Sequence, residues 1–380
     1  MAVPKLRFKA ADGSQFPDWE EKTIDEVAEC LDNKRVPVNA EERKKRVGVI
    51  PYYGAGGIQG YIDDYLFDEE LVLLLEDGDA FNDFQTKSIA QYVTGKSWVN
   101  NHAHVLRANG NSYFLFASLE HKDIRKWTQL AGASRKKLLK DSMLKITVNM
   151  PSLPEQQKIA EFLSTIDTVI EKQKETISAW EERKKGVMQK LFSQEVRFKA
   201  DDGSEFPDWK KKKLEDVVEF LDGQRKPLEA GQRVSGKYPY YGASGIIDYV
   251  NDYIFDEELI LLSEDGANIL DRNYRVCFLA KGKYWVNNHA HVLRAMDRNV
   301  NGFLCEQLES FDYRKYNSGG AQPKLNQATC RSIVVNVPCL AEQQKIADCL
   351  SSLDDVIKKQ KATLAAWEEL KKGLLQQMFV

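Results

Sequence analysis

No stretch of this 380-residue chain stays apolar for the ~20 residues that a bilayer crossing requires. The longest apolar runs, such as Leu71 to Leu75, stop far short of that. The N-terminal MAVPKLRFKA lacks the apolar core of a secretory signal, so a cytoplasmic location is expected, with no membrane partner. Cysteine is scarce: Cys30, Cys277, Cys305, Cys330, Cys339 and Cys349, five of the 6 in the second half and none in a C-x-x-C pair. That excludes a disulfide framework and a zinc-type spacing, and buried, reduced thiols are expected. An excess of one charge is missing too. Lys and Arg number 54 against 57 Asp and Glu, a net charge of -3. Any contact with a polyanion must therefore come from local patches rather than from the whole surface.

What is present is a repeat. LRFKAADGSQFPDWE begins at Leu6 and VRFKADDGSEFPDWK at Val196, 190 residues on. The segment from Tyr52 through Gly78 returns from Tyr240, an offset of 188, and WVNNHAHVLRA at Trp98 returns at Trp285, an offset of 187. PSLPEQQKIAEFLSTIDTVIEKQK at Pro151 matches PCLAEQQKIADCLSSLDDVIKKQK at Pro338, again 187 apart. The period is far too long for a solenoid, and a duplicated domain with a pseudo-twofold axis fits better. Phe379 matches Phe192, and the SQEVRFK that follows Phe192 corresponds to the N-terminal VPKLRFK. The chain end is therefore expected to lie beside the chain start.

Each copy closes on a long helical pattern. Ser152-Leu153-Pro154-Glu155 has the form of a capping box with proline in the first turn, whereas Cys339 replaces the serine in the second copy and predicts a weaker cap. From Glu155 to Phe192 the apolar positions alternate by four and three: Ile159, Leu163, Ile166, Ile170, then Ile177 and Trp180. The second copy repeats the seam with Ile346, Leu350, Leu353, Ile357, Leu364 and Trp367. Such a seam predicts a coiled coil, and matching seams within one chain predict that the two helices pair antiparallel. Gln173, Gln360, Lys184 and Lys371 interrupt the seams, as polar residues that fix register do. A single helix lying on its own domain is the alternative. The expected division is 1–150, globular; 151–192, helix; 193–337, globular; 338–380, helix.

The globular parts read as α+β. Thr23 to Leu31 and Leu214 to Leu221 suggest short amphipathic helices, and Lys210 to Lys213 a solvated helix start. Leu71 to Leu75, Leu259 to Leu262 and Trp98 to Leu106 suggest strands. Tyr53-Gly54 and Tyr241-Gly242-Ala243-Ser244 sit in glycine turns that fail the G-x-G-x-x-G phosphate pattern, the first at Gln59. Their backbone N–H groups and tyrosines could face a nucleic acid. On a strand period, Asn100, His102 and His104 share a face, so Asn100, His102, Asn287 and His289 could either bond within the core or reach base edges. No cysteine is shared between the copies to complete a metal site, and no metal is expected. The small, basic segments Ser134-Arg135-Lys136 and Gln322-Pro323-Lys324 suit loops that touch phosphates or bases.

A glycine loop leading to P-x-L-x-E-Q-x-x-I-A-x-x-L-x-x-x-D, with Phe-Pro-x-Trp at Phe16 and Phe206, occurs in both halves. This doubled pattern resembles the specificity subunits of type I restriction-modification systems. The resemblance implies two target-recognition domains, each reading half of a split double-stranded DNA site, with an antiparallel helical pair as spacer. It also implies two methyltransferase subunits docked on that scaffold and motor-nuclease subunits in the restriction complex. S-adenosylmethionine would belong to the methyltransferase partner, leaving this chain without a cofactor. No N-P-P-[YF], D-P-P-Y, Walker lysine motif or clustered acidic nuclease signature occurs, so no catalytic residue is expected. A stand-alone enzyme and a helical scaffold that binds only proteins are the competing readings.

Overall fold

The computed structural model describes residues 4–131, 135–297, 300–320 and 322–379. The chain forms two compact units, Met1–Lys174 with Thr363–Val380, and Glu175–Ala362. The long helices Leu153–Phe192 and Leu340–Met378 are thus each divided between the units, whereas the sequence suggests a cut at each helix start.

In the first unit, Ala28–Cys30, Ala103–Ala108, Leu71–Leu75 and Ala90–Val93 form an antiparallel sheet in that order. A second sheet runs Gly57–Ile62, Ile50–Gly54, Lys96–Val99, Phe67–Asp68, with Tyr52 and Tyr53 paired parallel to Trp98 and Val99. Leu71–Leu75 is buried throughout because both of its faces are covered. Val72 and Leu74 pack with Leu106 and with Phe114 of the helix Ser112–Leu119. Leu71 and Leu73, on the opposite face, pack with Leu31, Phe67, Val99 and Val105.

The second unit repeats this plan. Its sheets are Val218–Phe220, Ala290–Ala295, Leu259–Ser263, Cys277–Ala280, and Gly245–Val250, Ser235–Gly242, Lys283–Val286, Phe255–Asp256. Ile260 and Leu262 face Phe303, while Leu259 and Leu261 face Phe255 and Val286. The α+β class with two homologous domains and two long helices therefore holds. Cys277, Cys305 and Cys330 are buried thiols, Cys30, Cys339 and Cys349 are partly exposed, and all six are free.

Several local expectations are overturned. Thr23 to Leu31 is helical only over Ile24–Val27, where the Glu26 carboxylate accepts from Thr23 N and Oγ1 at 2.7 Å. Ala28 then turns extended and pairs with Ala108, because the sheet needs that edge more than a short helix needs another turn. Leu214 to Leu221 follows suit, with one 3-10 turn at Leu214–Asp216 and the strand Val218–Phe220. Lys210–Lys213 is a strand, exposed at every position, paired with Val334–Val337. Trp98 to Leu106 is two strands broken by a turn, so His102 and His104 do not share one strand.

The expected capping box at Ser152 does not form. Glu155 is completely buried and its carboxylate is taken by Arg7, with Nε to Oε1 at 3.0 Å and Nη2 to Oε2 at 2.8 Å. Trp19 Nε1 donates to Oε2 at 3.2 Å, and Arg7 Nη2 also donates to Pro17 O at 2.6 Å. The Ser152 hydroxyl is buried without a hydrogen bond. The second unit builds the same clasp from Arg197, Trp209, Pro207 and Glu342, at 3.0, 2.8, 3.0 and 2.8 Å. A cap contributes about 1 kcal/mol. A buried carboxylate left unpaired costs several times that, so the guanidinium wins the glutamate. The next motif residue acts locally: Gln156 Nε2 donates to Pro151 O at 2.9 Å while its Oε1 accepts from Asn111 N at 3.1 Å.

Within each unit both long helices meet. Ile159, Leu163, Ile166 and Ile170 share a core with Leu375 and Met378, and Leu364 and Trp367 pack against it. In the other unit Ile346 and Leu350 are buried with Leu191, and Leu353 packs against them. Ile177 and Ile357 are buried and Trp180 is half-buried beneath the Arg183 guanidinium. There Glu181 pairs with Lys361 at 2.6 Å and Lys184 with Asp354 at 2.7 Å, so numbering rises along one helix as it falls along the other. This is the antiparallel sense. The same seam residues also pack on domain-core groups such as Trp19 and Phe114, so helix pairing and helix-on-domain packing occur together.

The seam lysines are neutralised. Lys184 reaches both Asp354 oxygens at 2.7 Å and Glu306 at 3.1 Å. Lys371 reaches Glu120 at 3.0 Å and Asp167 at 2.9 Å. Burial works against the Lys371 ammonium, but those two carboxylates outweigh it and hold it protonated above the ordinary lysine value. The chain ends meet as expected. Lys5 N and Leu6 N donate to Gln377 O at 2.9 and 3.2 Å, and Phe379 lies edge-on to Trp19.

Arg7→Ala should lower unfolding free energy by ~3 kcal/mol or more, since it strands a buried carboxylate. Ser152→Ala should leave it unchanged within ~0.5 kcal/mol, because no hydrogen bond is lost. Urea unfolding followed by tryptophan fluorescence distinguishes the two, and a large loss for Ser152→Ala would restore the cap.

Candidate nucleic-acid interface

Three segments of the first unit converge: the glycine hairpin after Ile50–Gly54, the turn at Asn100–His102, and the strand Arg135–Lys137. A buried polar framework joins them. His104 Nδ1 meets Asp32 Oδ2 at 2.6 Å and Nε2 meets Leu138 O at 2.9 Å. A carbonyl only accepts, so Nε2 carries a proton. Burial alone would raise the Asp32 pKa, but His104, the Val105 N–H and Arg35 outweigh it and hold the carboxyl below its usual range. Arg35 Nη1 bonds Glu76 Oε2 at 2.6 Å and Ala103 O at 2.8 Å, and Lys137 Nζ meets the other Glu76 oxygen at 3.0 Å. Leu138 N donates to Glu76 O at 2.8 Å, and Glu76 N to His102 O at 3.0 Å.

The second unit has the same framework under different numbers. His291 bridges Asp222 and Leu325 O, each at 2.7 Å. Arg225 bonds Glu264 and Ala290 O at 2.7 Å, and Lys324 lies 3.5 Å from Glu264. Asp222 is likewise held low against its burial, chiefly by His291. A construction repeated this closely ties Lys137 and Leu138 in one unit, and Lys324 and Leu325 in the other, to a rigid sheet. Loops set on rigid elements are where recognition residues usually sit.

The residues singled out from sequence fall into three groups. Asn100 and Asn287 are buried, and their side-chain oxygens accept from His102 N and His289 N, both at 2.8 Å. Those oxygens therefore shape a turn rather than reach outward. Asn100 N and Asn287 N in turn donate to Tyr53 O and Tyr241 O at 3.0 Å, which ties the turn to the hairpin. Tyr53 and Tyr241 are half-buried, and Gly54 and Gly242 are buried. The second group remains accessible. His102 and His289 are 43% and 48% exposed while leaning on Asp77 and Asp265. Lys324 is 49% exposed, and Ser244 and Gln322 are exposed. Lys136 Nζ donates to Asn82 Oδ1 at 2.7 Å. In the third group, Ser134 and the Arg135 side chain lie outside the described residues.

The sequence reading missed two features. Arg43 and Arg46, from the run at 43–46, stack over Tyr52 and Trp98 at 4.7 and 4.5 Å, which places basic groups beside the hairpin. The run itself was the available signal. The hairpin strands also expose large side chains: Ile58 and Tyr61 in one unit, and Ile246, Ile247 and Tyr249 in the other. Among the described residues no group of three or more His, Cys, Asp or Glu side chains is arranged to hold a metal ion. No helix of the described residues is long and apolar enough to cross a membrane.

Comparison with known proteins agrees with this duplicated layout. Across its full length the chain is similar to the type I restriction enzyme MjaVIII specificity subunit of Methanocaldococcus jannaschii, 26% identical over 97% of this chain and 94% of that one. A second relative, S.HindORF215P of Haemophilus influenzae, is 37% identical over 40% of this chain, a match that spans 38% of the relative's length. The fold is that of a type I restriction-modification S subunit from M. genitalium, with a TM-score of 0.65, 16% identity and coverage of 100% and 99% of the two chains. The family model for the type I restriction modification DNA specificity domain matches twice, over residues 17–179 and 207–366. With one copy of that domain in each half, the chain belongs to the type I restriction-modification specificity family.

Proposed function

We propose that this chain is the DNA-reading subunit of a type I restriction-modification complex and that each unit reads one half of a bipartite duplex site. The observation that carries this is the duplicated framework. Two sheets, each with an Asp–His–carbonyl bridge, present the same hairpin and turn. The two long helices, of 40 and 39 residues, are the spacer between the readers. At 1.5 Å per residue each is roughly 60 Å long, enough to hold two half-sites more than one duplex turn apart.

The chain acts without chemistry of its own. Two methyltransferase subunits dock on it and supply S-adenosylmethionine and the transfer step, and motor-nuclease subunits join for restriction. A net charge of -3 supports a subunit whose hold on DNA depends on partners that complete the basic surround. The work of this chain is positional: the hairpin and loop side chains meet base edges, and basic groups such as Arg43 and Lys324 meet phosphates.

Two outcomes test this. Purified with its methyltransferase partner and given random DNA, the chain should direct adenine methylation to one bipartite sequence with related but non-identical half-sites. Single-molecule sequencing reads the result, and methylation without sequence preference would reject the assignment. Removing one heptad from both helices, 173–179 and 360–366, keeps the seam in register and should shorten the gap by about 10 Å, near three base pairs. An unchanged gap in that variant would mean the helices do not set it.

A further inference from the structure

We infer that the bulged hairpin residue, Gln59 in one unit and Ile247 in the other, is a base-discriminating position and one source of the difference between the two half-sites. This rests on the DNA-reading function proposed above. In the first unit Tyr52 pairs with Gly60 and Tyr53 with Ile58, so Gln59 is an extra residue pushed out of the ladder. In the second unit Tyr240 pairs with Asp248 and Tyr241 with Ile246, and Ile247 is the extra residue. A bulge of this kind re-aims one side chain without disturbing its neighbours, and bulges concentrate beside functional sites.

The bulged side chain lies over a glycine in both copies. A Cβ on Gly54 would come within 2.1 Å of Gln59 Nε2, and one on Gly242 within 3.1 Å of Ile247 Cγ2. Glycine there leaves room for the bulged side chain to fold across the hairpin tip. Both side chains remain exposed, next to Tyr61 and Tyr249.

The two copies then differ in chemistry on a shared backbone. The His102 N–H must be accepted by an oxygen, which fixes the Asn100 carboxamide and turns its Nδ2 toward Gln59. Gln59 therefore presents Oε1 to Asn100 at 3.2 Å, and among the described residues its Nε2 donates to none, which leaves its N–H groups for a ligand. A free amide donor selects base edges that offer an acceptor, such as guanine O6 or N7. Ile247 offers no polar atom in the same place. Its fit is to an apolar edge, and the thymine C5-methyl is the one that duplex DNA provides in the major groove.

The test uses the full chain with its methyltransferase partner on a random DNA library, read by methylation sequencing. Gln59→Ile should change the preference at one base pair of one half-site by about tenfold, toward thymine, and leave the other half-site alone. Ile247→Gln should act on the opposite half-site, away from thymine and toward guanine, whose O6 and N7 both accept. Each replacement is the residue that the sister unit already carries on the same frame. Normal methylation with both half-sites unchanged would overturn the inference while leaving the DNA-reading function intact. So would a loss of affinity spread evenly over all sequences. A wild-type complex with no sequence preference would instead remove the reading on which the inference rests.

Discussion

Each unit is closed by a single buried carboxylate. Glu155 and Glu342 sit at the start of a long helix with no exposure to water, and each is held by one arginine and one tryptophan from the segment that begins its domain. A lone carboxylate in that position would be untenable, so the clasp forms complete or not at all. It joins residues 148 positions apart in the first unit and 145 in the second. The segment that begins the domain and the start of the long helix are thereby set relative to one another. The seam residues that follow the glutamate then face the core without any further adjustment.

Electrostatics is used the same way elsewhere. The seam lysines are buried but never alone: Lys371 has Glu120 and Asp167, and Lys184 has Asp354 and Glu306. Glu306 does not stand at the position of Glu120. In the repeat it aligns with Ala117, three residues earlier on the same helix, and Glu309 aligns with Glu120. Residues three apart share a helix face, so the two units reach one ionic solution from different positions. The Asp–His–carbonyl bridges are conserved more strictly between the copies, residue for residue, because they need a fixed geometry rather than a nearby charge.

The two units share a frame and differ in the residues around it. The Asn100 and Asn287 carboxamide oxygens and backbone N–H groups serve the frame. Beyond them the bulged residues Gln59 and Ile247 carry side chains that differ between the units. A frame that is the same twice can carry different side chains at its rim without changing its own hydrogen bonds.

The duplication, the heptad seams, the strands Leu71–Leu75 and Leu259–Ser263, and the adjacency of the chain ends were all legible from residue spacing alone. Periodicity and repetition are properties of the chain, and they survive without knowledge of contacts. The competition for polar groups was not legible. Ser152 and Glu155 have the local pattern of a cap, and only the arrival of Arg7 from 148 residues away decides against it. Asn100 and His102 look like neighbours on one strand until a carboxamide accepts a backbone N–H two residues on. A sequence declares which groups can bond, but a buried charge or amide chooses its partner by distance and desolvation. Those exist only once the chain has folded around it.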